Sequence, residues 1–321
     1  MAPEQLQIWQ KNYLLLQRKS KKLAIKSEKN FDIKNLTSFK IGGKINEVFF
    51  PDNIADFVQL LQTYPNIQVL GNLSNTLVSS KGYDGKVILT SEMNKIEIEG
   101  NTVSAGCGVK GPKLSQEVCK TGLSGLEFMI GFPGSVGGEV YMNASANGQS
   151  ISDKLRSVTC FSRKYGLITY PKDKMKFDYR TSRCQNEDII ILQADFVLKQ
   201  KPVEEIQEQM NNNLDFRRKH QPTLALPNCG SIFKNPVGNP AGRLLESVGA
   251  KELMFGKARV WRNHSNFIIN TGDATSLDVL KLMWELKQRV LEEYDINLEP
   301  EIKFLGTNKE EIKLWQKLNQ K

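Results

Sequence analysis

The spacing of apolar residues predicts alternating strands and helices from about residue 30 to residue 200. Short apolar runs separated by Gly and Asn are typical of β-strands joined by turns, and they occur at 47–50, 67–70, 86–90, 101–106 and 188–198. Apolar residues three and four positions apart predict amphipathic helices, and this spacing occurs at 54–63 and 112–121. We therefore expect a mixed α and β region.

A break in this pattern at Lys201–Pro202 begins a second region. Helical spacing returns at 203–220 and near 240–248, and a short apolar run at 267–270 predicts a strand. The fold class that follows is α+β, with a boundary near residue 200.

Two further helices are predicted from single apolar stripes. The first lies at 4–20, and the second lies near 276–294 with Thr275 or Ser276 as its N-cap. The stripe of the second helix consists of Leu277, Leu280, Met283, Leu286 and Val290. No internal repeat interrupts this organisation.

Composition leaves room for two or three domains, because the 321 residues are 40% hydrophobic and 25% charged. The net charge of +9 favours an anionic partner such as a nucleic acid, an acidic lipid or a phosphorylated metabolite. The basic clusters at 17–26 and 217–219 are more typical of a solvated face than of a direct anion-binding site. No zinc-finger spacing, RNP-like aromatic motif or basic heptad region is present, so we expect no nucleic-acid partner.

Five cysteines without a CxxC pair and only two histidines argue against a zinc or His-rich centre, and we expect no metal. Scattered cysteines in odd number are typical of free thiols in a reducing compartment. No apolar run approaches the length of about 20 residues that spans a bilayer, and the N-terminus lacks the pattern of a signal peptide. We expect a cytoplasmic protein with no membrane partner.

Glycine-rich segments offer three candidate loops. GCGVKG (106–111) matches the GxGxxG pattern of a dinucleotide-binding turn, but Pro112 follows directly and a strand-to-helix turn is the better interpretation. GNLSN (71–75) and GFPGSVGG (131–138) could each be a tight turn. Two loops rich in backbone N–H donors within one region favour a pyrophosphate cradle.

The stretch NCGSIFKNP (228–236) mixes residue types that a simple strand does not need. A serine hydroxyl, Ser231, precedes two apolar residues, and Lys234 and Asn235 follow. This order predicts a catalytic hydroxyl at a strand edge with two substrate-binding groups beside it.

Seven motifs in one order resemble the UDP-N-acetylenolpyruvoylglucosamine reductase family, in the shorter form that lacks a long insertion. They are TSFKIGG (37–43), GNLSN (71–75), GLSGLEFMIGFPGSVGG (122–138), YRTSR (179–183), CGSIFKNP (229–236), NHSNFIINTGDAT (263–275) and LEPEIKFLG (298–306). The resemblance runs from about residue 30 to residue 306.

The resemblance implies a two-subdomain α+β FAD-binding region of the vanillyl-alcohol-oxidase type at 29–200 and a smaller α+β substrate-binding domain at 201–306. A helical extension at 1–28 and a helical tail at 307–321 would flank them. The implied reaction is NADPH-dependent, FAD-mediated reduction of UDP-N-acetylglucosamine enolpyruvate to UDP-N-acetylmuramate in peptidoglycan precursor synthesis. We expect non-covalent FAD and a monomer.

The same resemblance implies site residues. Ser231 matches the proton donor, Arg180 the active-site arginine and Glu301 the catalytic glutamate, whose pKa burial could raise. The implied substrate-binding residues are Tyr179, Lys234, Asn235 and His264. The implied FAD-binding residues are Gly71, Asn72, Ser74, Asn75, Gly131, Pro133, Gly134, Ser135, Gly137 and Gly138.

The chain departs from the family's usual residues at Leu73, Ser145, Asn147, Arg259 and Trp261. If position 73 requires a positive φ, leucine there is strained and could weaken FAD binding. Three alternatives remain open at this point. They are another flavin oxidase or dehydrogenase on the same fold, a degenerate flavin-free homologue, and a non-catalytic protein that binds nucleic acid through its positive charge.

Overall fold

The computed structural model describes residues 25–223 and 225–320. The helix predicted at 4–20 lies outside these residues. Within them, no helix is long and apolar enough to cross a membrane.

The described α-helices are α1 (Ile54–Thr63), α2 (Gly111–Lys120), α3 (Val136–Tyr141), α4 (Val203–His220), α5 (Ala241–Ser247), α6 (Ser276–Tyr294) and α7 (Lys309–Leu318). Short 3₁₀ turns lie at Lys34–Leu36, Thr90–Glu92, Glu127–Gly131, Ile151–Asp153, Lys172–Met175, Arg183–Gln185 and Ala250–Glu252.

The strands up to residue 200 are β1 (Ser27–Asp32), β2 (Lys44–Phe49), β3 (Gln68–Leu70), β4 (Thr76–Val78), β5 (Tyr83–Leu89), β6 (Ile96–Glu99), β7 (Thr102–Gly106), β8 (Leu123–Ser124), β9 (Ser145–Ala146), β10 (Gln149–Ser150), β11 (Leu155–Ser162), β12 (Gly166–Pro171), β13 (Ile189–Val197) and β14 (Lys199–Gln200). The later strands are β15 (Asn228–Ser231), β16 (Met254–Phe255), β17 (Ala258–Val260), β18 (Phe267–Asn270) and β19 (Lys303–Leu305).

Two sheets organise the first region. The first has the order β1-β2-β5-β3, with β1 antiparallel at one edge and the other pairs parallel. The second has the order β12-β11-β13-β7-β6 and is antiparallel throughout. A shared core of apolar side chains, including Phe57, Leu114 and Phe196, packs α1, α2 and the second sheet together. The α+β fold class is confirmed.

A smaller antiparallel sheet of order β15-β18-β17-β16 forms the second region. Its core-side residues, such as Val260 and Ile268, are fully buried in one cluster with Leu280 and Met283 of α6. The predicted stripe of α6 therefore faces this sheet, because residues three and four apart lie on one side of a helix. Thr275 caps the helix reciprocally with Asp278, as the sequence predicted.

The two regions are joined by the end of the chain. β19 returns to the first region and pairs in parallel with β4, with Lys303 opposite Thr76 and Leu305 opposite Val78. The apolar core of the second region also includes Phe39 and Leu77 from the first. The two regions are therefore held together by a strand pairing and by a shared apolar core.

Most predicted elements are confirmed within one or two residues, including α1, α4, α6 and β18. The GxGxxG segment is a strand-to-helix turn: β7 ends at Gly106 and α2 begins at Gly111. Position 108 has no room for a side chain, since a Cβ there would lie 1.6 Å from the carbonyl oxygen of Thr90.

Leu73 has a positive φ of +54°. This is the conformation in which the sequence analysis expected leucine to be strained. The left-handed conformation costs an ordinary residue roughly 1–2 kcal/mol. However, the side chain is 4% exposed and packs in an apolar cluster with Val78 and Leu305. Burial therefore offsets the backbone strain.

We predict that Leu73→Gly lowers the free energy of unfolding by about 1–3 kcal/mol, because losing a buried leucine costs about 2–5 kcal/mol and relief of strain returns only part of it. Urea denaturation measures the change. Lys40→Gly is the matched control, since Lys40 has the same φ of +54° but is exposed. A Leu73→Gly protein more stable than the wild type would contradict the account.

Candidate active site

A cavity of about 1060 Å³ lies between the two regions. We call it the main cavity. Among the predicted residues it is lined by Gly71, Asn72, Ser74, Asn75, Pro133, Gly134, Ser135, Gly137, Gly138, Arg180, Ser231 and Glu301. The three predicted catalytic residues and nine of the ten predicted FAD-binding residues thus share one cavity.

Five predicted residues lie outside its lining: Gly131, Tyr179, Lys234, Asn235 and His264. Gly131 ends the 3₁₀ turn that leads into the second glycine loop. Tyr179 and Asn235 lie close to each other, because the Tyr179 hydroxyl accepts a hydrogen bond from the backbone N–H of Asn235 at 3.3 Å. Tyr179 is exposed, so this contact lies at the surface beside the cavity.

Arg180 sits at a strained position of a tight turn. Asp178 and Thr181 exchange two backbone hydrogen bonds across Tyr179 and Arg180, and Arg180 has a φ of +54°. A non-glycine residue in this conformation costs of order 1–3 kcal/mol and is typical of functional sites. The turn directs the guanidinium group into the main cavity.

Two contacts hold the Arg180 guanidinium group. Its Nε lies 2.8 Å from Oε1 of Glu301, an ion pair too bent to count as a full N–H···O hydrogen bond. Its Nη1 donates a hydrogen bond of 2.9 Å to the hydroxyl of Ser145. Ser145 therefore helps to orient the arginine.

Glu301 is fixed by its backbone between the two regions. Its N–H donates to the carbonyl of Ile232 at 2.8 Å, and its carbonyl accepts from the Asn75 side chain at 3.2 Å. Burial raises the pKa of its carboxyl group, while the nearby charges of Arg180 and Lys234 lower it. Burial is the larger effect, so the carboxyl group holds a proton more readily than an exposed glutamate does.

Ser231 ends β15 opposite Phe267 of β18, and both residues line the main cavity. Gly230 before it has a φ of +76°, and an irregularity in the strand pairing lies between Asn228 and Ser231. Within the described part of the chain the Ser231 hydroxyl has no protein hydrogen-bond partner. It is free to contact a bound molecule.

Lys234 and Asn235 already have protein partners. The Lys234 ammonium group lies 2.6 Å from Oε1 of Glu299, and the Asn235 side-chain oxygen accepts from the N–H of Ala241 at the start of α5. His264 packs edge-on against Phe267, and its Nδ1 accepts from the backbone N–H of Asn266.

Sequence reasoning missed four cations in the lining of the main cavity: Lys40, Arg163, Arg217 and Lys303. Burial lowers the pKa of Arg217 and of Lys303. Arg217 belongs to a basic run that is more typical of a solvated face. Lys303 follows Glu301 by two positions. Because side chains alternate between the two faces of an extended segment, this spacing could have predicted that both side chains lie on the same side.

The two glycine loops form one wall of the main cavity. A Cβ on Gly71 would lie 2.5 Å from the hydroxyl oxygen of Ser135, and the Asn72 side chain donates to the carbonyl of Pro133. Ser135 is 2% exposed, and its hydroxyl has no hydrogen-bond partner. An orphaned donor beside closely packed backbone N–H groups fits the diphosphate of a dinucleotide such as FAD.

Glu139 also lines the main cavity, next to this wall. It is 4% exposed, and neither carboxylate oxygen has a hydrogen-bond partner. Burial raises its pKa from the ordinary value of 4.5 to about 8. The carboxyl group is therefore mostly neutral at pH 7 and does not repel an anion bound at the loops.

No three His, Cys, Asp or Glu side chains come together as a metal site anywhere in 25–223 and 225–320. The five cysteines of the chain are all buried and unpaired by disulfides.

Comparison with known proteins gives two matching family models. A family model described as the C-terminal domain of UDP-N-acetylenolpyruvoylglucosamine reductase matches residues 221–305, and one described as an FAD binding domain matches residues 46–168. These matches agree with the predicted FAD-binding region followed by a smaller domain.

Proteins named UDP-N-acetylenolpyruvoylglucosamine reductase are similar over nearly the whole chain. The one from Caldicellulosiruptor saccharolyticus is 39% identical over 296 residues, covering 90% of this chain and 95% of its own length. That from Bacillus subtilis is 38% identical over 286 residues, covering 87% and 94%. The crystal structure of the Thermus caldophilus enzyme is 34% identical with a TM-score of 0.75, covering 88% of this chain and 98% of its own.

We predict that Glu139 destabilises the fold increasingly between about pH 5 and pH 8. In that interval the folded protein keeps a proton that the unfolded chain has lost, so each pH unit costs about 1.4 kcal/mol. Glu139→Gln removes this titration. Its advantage over the wild type in free energy of unfolding should be small at pH 5 and largest near pH 8.

Urea denaturation at several pH values measures this difference. Glu99→Gln, at an exposed position of β6, is the control and should follow the wild type. An advantage of Glu139→Gln that is constant with pH would show that Glu139 is ionised in the folded protein.

Proposed function

Because the chain belongs to the UDP-N-acetylenolpyruvoylglucosamine reductase family, we propose roles for the residues of its main cavity in that family's reaction. The protein is an FAD-dependent oxidoreductase that reduces UDP-N-acetylglucosamine enolpyruvate to UDP-N-acetylmuramate in peptidoglycan precursor synthesis, with NADPH as the reductant. The observation that carries the residue roles is the convergence of Ser231, Arg180 and Glu301 on one cavity walled by both glycine loops.

The two glycine loops would hold FAD, which would supply the hydride chemistry that links NADPH to the terminal carbon of the enolpyruvyl double bond. Negative charge then develops on the adjacent carbon and its carboxylate. Arg180 binds this carboxylate through its planar fork of N–H donors and stabilises the developing charge. Ser145 and Glu301 hold the guanidinium group in place for that contact.

Ser231 donates its hydroxyl proton to the adjacent carbon, which is basic enough at that moment to take a proton from a weak acid. The hydroxyl has no competing protein partner, which supports this role. Glu301 acts as the second acid of the site, and its raised pKa favours the protonated form that such a role needs.

The FAD-binding residues divide into two groups by their contacts. The orphaned hydroxyl of Ser135 and the backbone N–H groups of the first loop (71–75) would bind the diphosphate, since in the second loop the N–H groups of Val136 and Gly137 already donate to the carbonyls of Val109 and Cys107. The Asn72 side chain is engaged with the carbonyl of Pro133 and would hold the loops together. We propose non-covalent binding. Of the three cysteines that line the main cavity, burial raises the pKa of Cys107 and Cys229, and Cys184, whose pKa is lowered by its hydrogen bond with Cys160, has a buried side chain.

Substrate contacts are proposed for four residues at or beyond the edge of the main cavity: Tyr179, Lys234, Asn235 and His264. Lys234 would exchange its exposed partner Glu299 for the diphosphate of the substrate. The Asn235 side chain keeps its N–H₂ group available while its oxygen binds α5. The free thiols fit the proposal of a cytoplasmic enzyme. We further propose that the enzyme is a monomer and that it binds no nucleic acid.

The proposed roles predict a separation of the two half-reactions. Ser231→Ala should leave the bleaching of the flavin absorption by NADPH unchanged. It should slow the return of that absorption with UDP-N-acetylglucosamine enolpyruvate by about 10²–10⁴-fold, the usual contribution of general acid catalysis. Anaerobic stopped-flow absorption measures both steps on one sample, so the first step is the internal control.

Three outcomes would contradict the proposal. Reoxidation of Ser231→Ala at the wild-type rate would remove Ser231 as the proton donor. Wild-type flavin that is reoxidised by oxygen but not by the enolpyruvyl substrate would favour another flavin oxidase. A purified wild-type protein that takes up no FAD would favour the degenerate homologue.

A further inference from the structure

Glu139 differs from the other buried acids in having no hydrogen-bond donor. Three glutamates are buried in the part of the chain that the structure describes: Glu127, Glu139 and Glu311. Glu127 accepts a hydrogen bond of 2.9 Å from the backbone N–H of Gly125, and Glu311 accepts from two serine hydroxyl groups. Both carboxyl oxygens of Glu139 lack a partner. Because buried polar groups are normally hydrogen-bonded, this gap points to a bound molecule as the missing partner.

The Glu139 carboxyl group lies between the second glycine loop and the start of α2. A Cβ on Gly134 would lie 3.0 Å from its Oε1 atom, and a Cβ on Gly111 would lie 2.4 Å from the same atom. Glu139 follows Ser135 by about one helical turn, and residues four apart lie on the same side of a helix. Both residues line the main cavity, so two orphaned polar groups lie in one part of its wall.

A neutral carboxyl group suits an anionic ligand at this place, whereas a carboxylate does not. The neutral group has an O–H donor, and its hydrogen bond to a phosphate oxygen is of the strong, charge-assisted kind. Burial keeps the group in this form, because it raises the pKa of Glu139 to about 8. No neighbouring cation lowers that pKa, since burial is the sole cause of the shift.

We propose that Glu139 is a further FAD-binding residue, whose neutral carboxyl group donates a hydrogen bond to a diphosphate oxygen of the cofactor. The inference rests on the proposed function, because it takes the wall of the two glycine loops as the FAD site. Ionisation would remove the donor and add a charge that repels the diphosphate. FAD affinity should therefore be full below about pH 8 and fall as the pH rises through that value.

Other titratable groups near Glu139 can be told apart from it. Burial raises the pKa of Cys107 and of Tyr141, so both stay uncharged at pH 8. The start of α2 and the other elements packed against α3 carry Lys110, Lys113, Asp153, Arg183, Cys184 and Asp195.

Titration of the FAD-free protein with FAD, followed by flavin fluorescence, tests the contact without turnover. The wild-type dissociation constant should rise about ten-fold between pH 7 and pH 9, as expected for one acid with a pKa of about 8. Glu139→Gln keeps an N–H donor that does not titrate, so its dissociation constant should stay the same across this interval. Glu139→Ala has no donor and should bind FAD about ten-fold more weakly than the wild type at pH 7.

Two control variants should keep the pH dependence of the wild type. Asp188→Asn is the matched control, because Asp188 also lines the main cavity but has a side chain that is 61% exposed and pairs with Arg163. Cys184→Ser is the second control, because the pKa of this cavity thiol is lowered and its titration could fall in the same interval.

Proton uptake gives a second readout. Binding of FAD to the wild type at pH 9 should take up about one proton, which is measured by calorimetry in two buffers of different ionisation enthalpy. Binding to Glu139→Gln should take up none. ADP-ribose, which carries the diphosphate without the flavin, should show the same pH dependence as FAD.

Four results would overturn the proposal. The first three are a wild-type affinity that is equal at pH 7 and pH 9, a Glu139→Gln protein that keeps the wild-type pH dependence, and a Glu139→Ala protein that binds FAD as tightly as the wild type at pH 7. The fourth is a pH dependence seen with FAD but not with ADP-ribose, which would place the contact on the flavin. Failure of the proposed function is distinguishable, since the wild type would then bind no FAD at any pH.

Discussion

The ion pair between Arg180 and Glu301 is the contact on which the proposed active site depends. It joins a strained turn of the first region to the segment that leads into the last strand of the chain. Neither residue is held by the pair alone. Backbone hydrogen bonds tie Glu301 to Ile232 on one side, and the Asn75 side chain ties it to the first glycine loop on the other. Catalytic groups and the cofactor wall are therefore positioned by the same few bonds.

Burial controls the chemistry of the acids in this site. Glu301 keeps a cationic neighbour and still has a raised pKa, because desolvation exceeds the attraction of Arg180. Glu139 has no such neighbour, and its pKa rises further, to about 8. One carboxyl group is thus paired with an arginine, whereas the other is mostly neutral at pH 7 and lies beside the second glycine loop.

Local patterns predicted the elements that carry a periodic apolar face. α6 is the clearest case, since its stripe and its capping residue follow from spacing and hydrogen-bonding chemistry alone. Very short strands such as β9, β16 and β19 escaped prediction because two or three residues carry no measurable period. The return of β19 to β4 is a tertiary pairing that no local pattern encodes.

In the candidate site, too, the sequence predicted some residues and could not predict others. The resemblance placed Ser231, Arg180 and Glu301 by their motifs, and the structure brings all three to one cavity. The contact of Ser145 with Arg180 could not be predicted from the sequence, because the two residues lie 35 positions apart in the chain. Leu73 shows the reverse case, in which the predicted strain is present and a long-range packing contact offsets it.

A double-mutant cycle on Arg180→Lys and Glu301→Gln tests most directly whether these two residues act as one unit. The rate of flavin reoxidation by the enolpyruvyl substrate would be measured for the wild type, both single variants and the double variant. The account predicts that the second substitution costs much less once the first is present, with a coupling energy of about 1–3 kcal/mol. Effects on the reoxidation rate that simply add would contradict it.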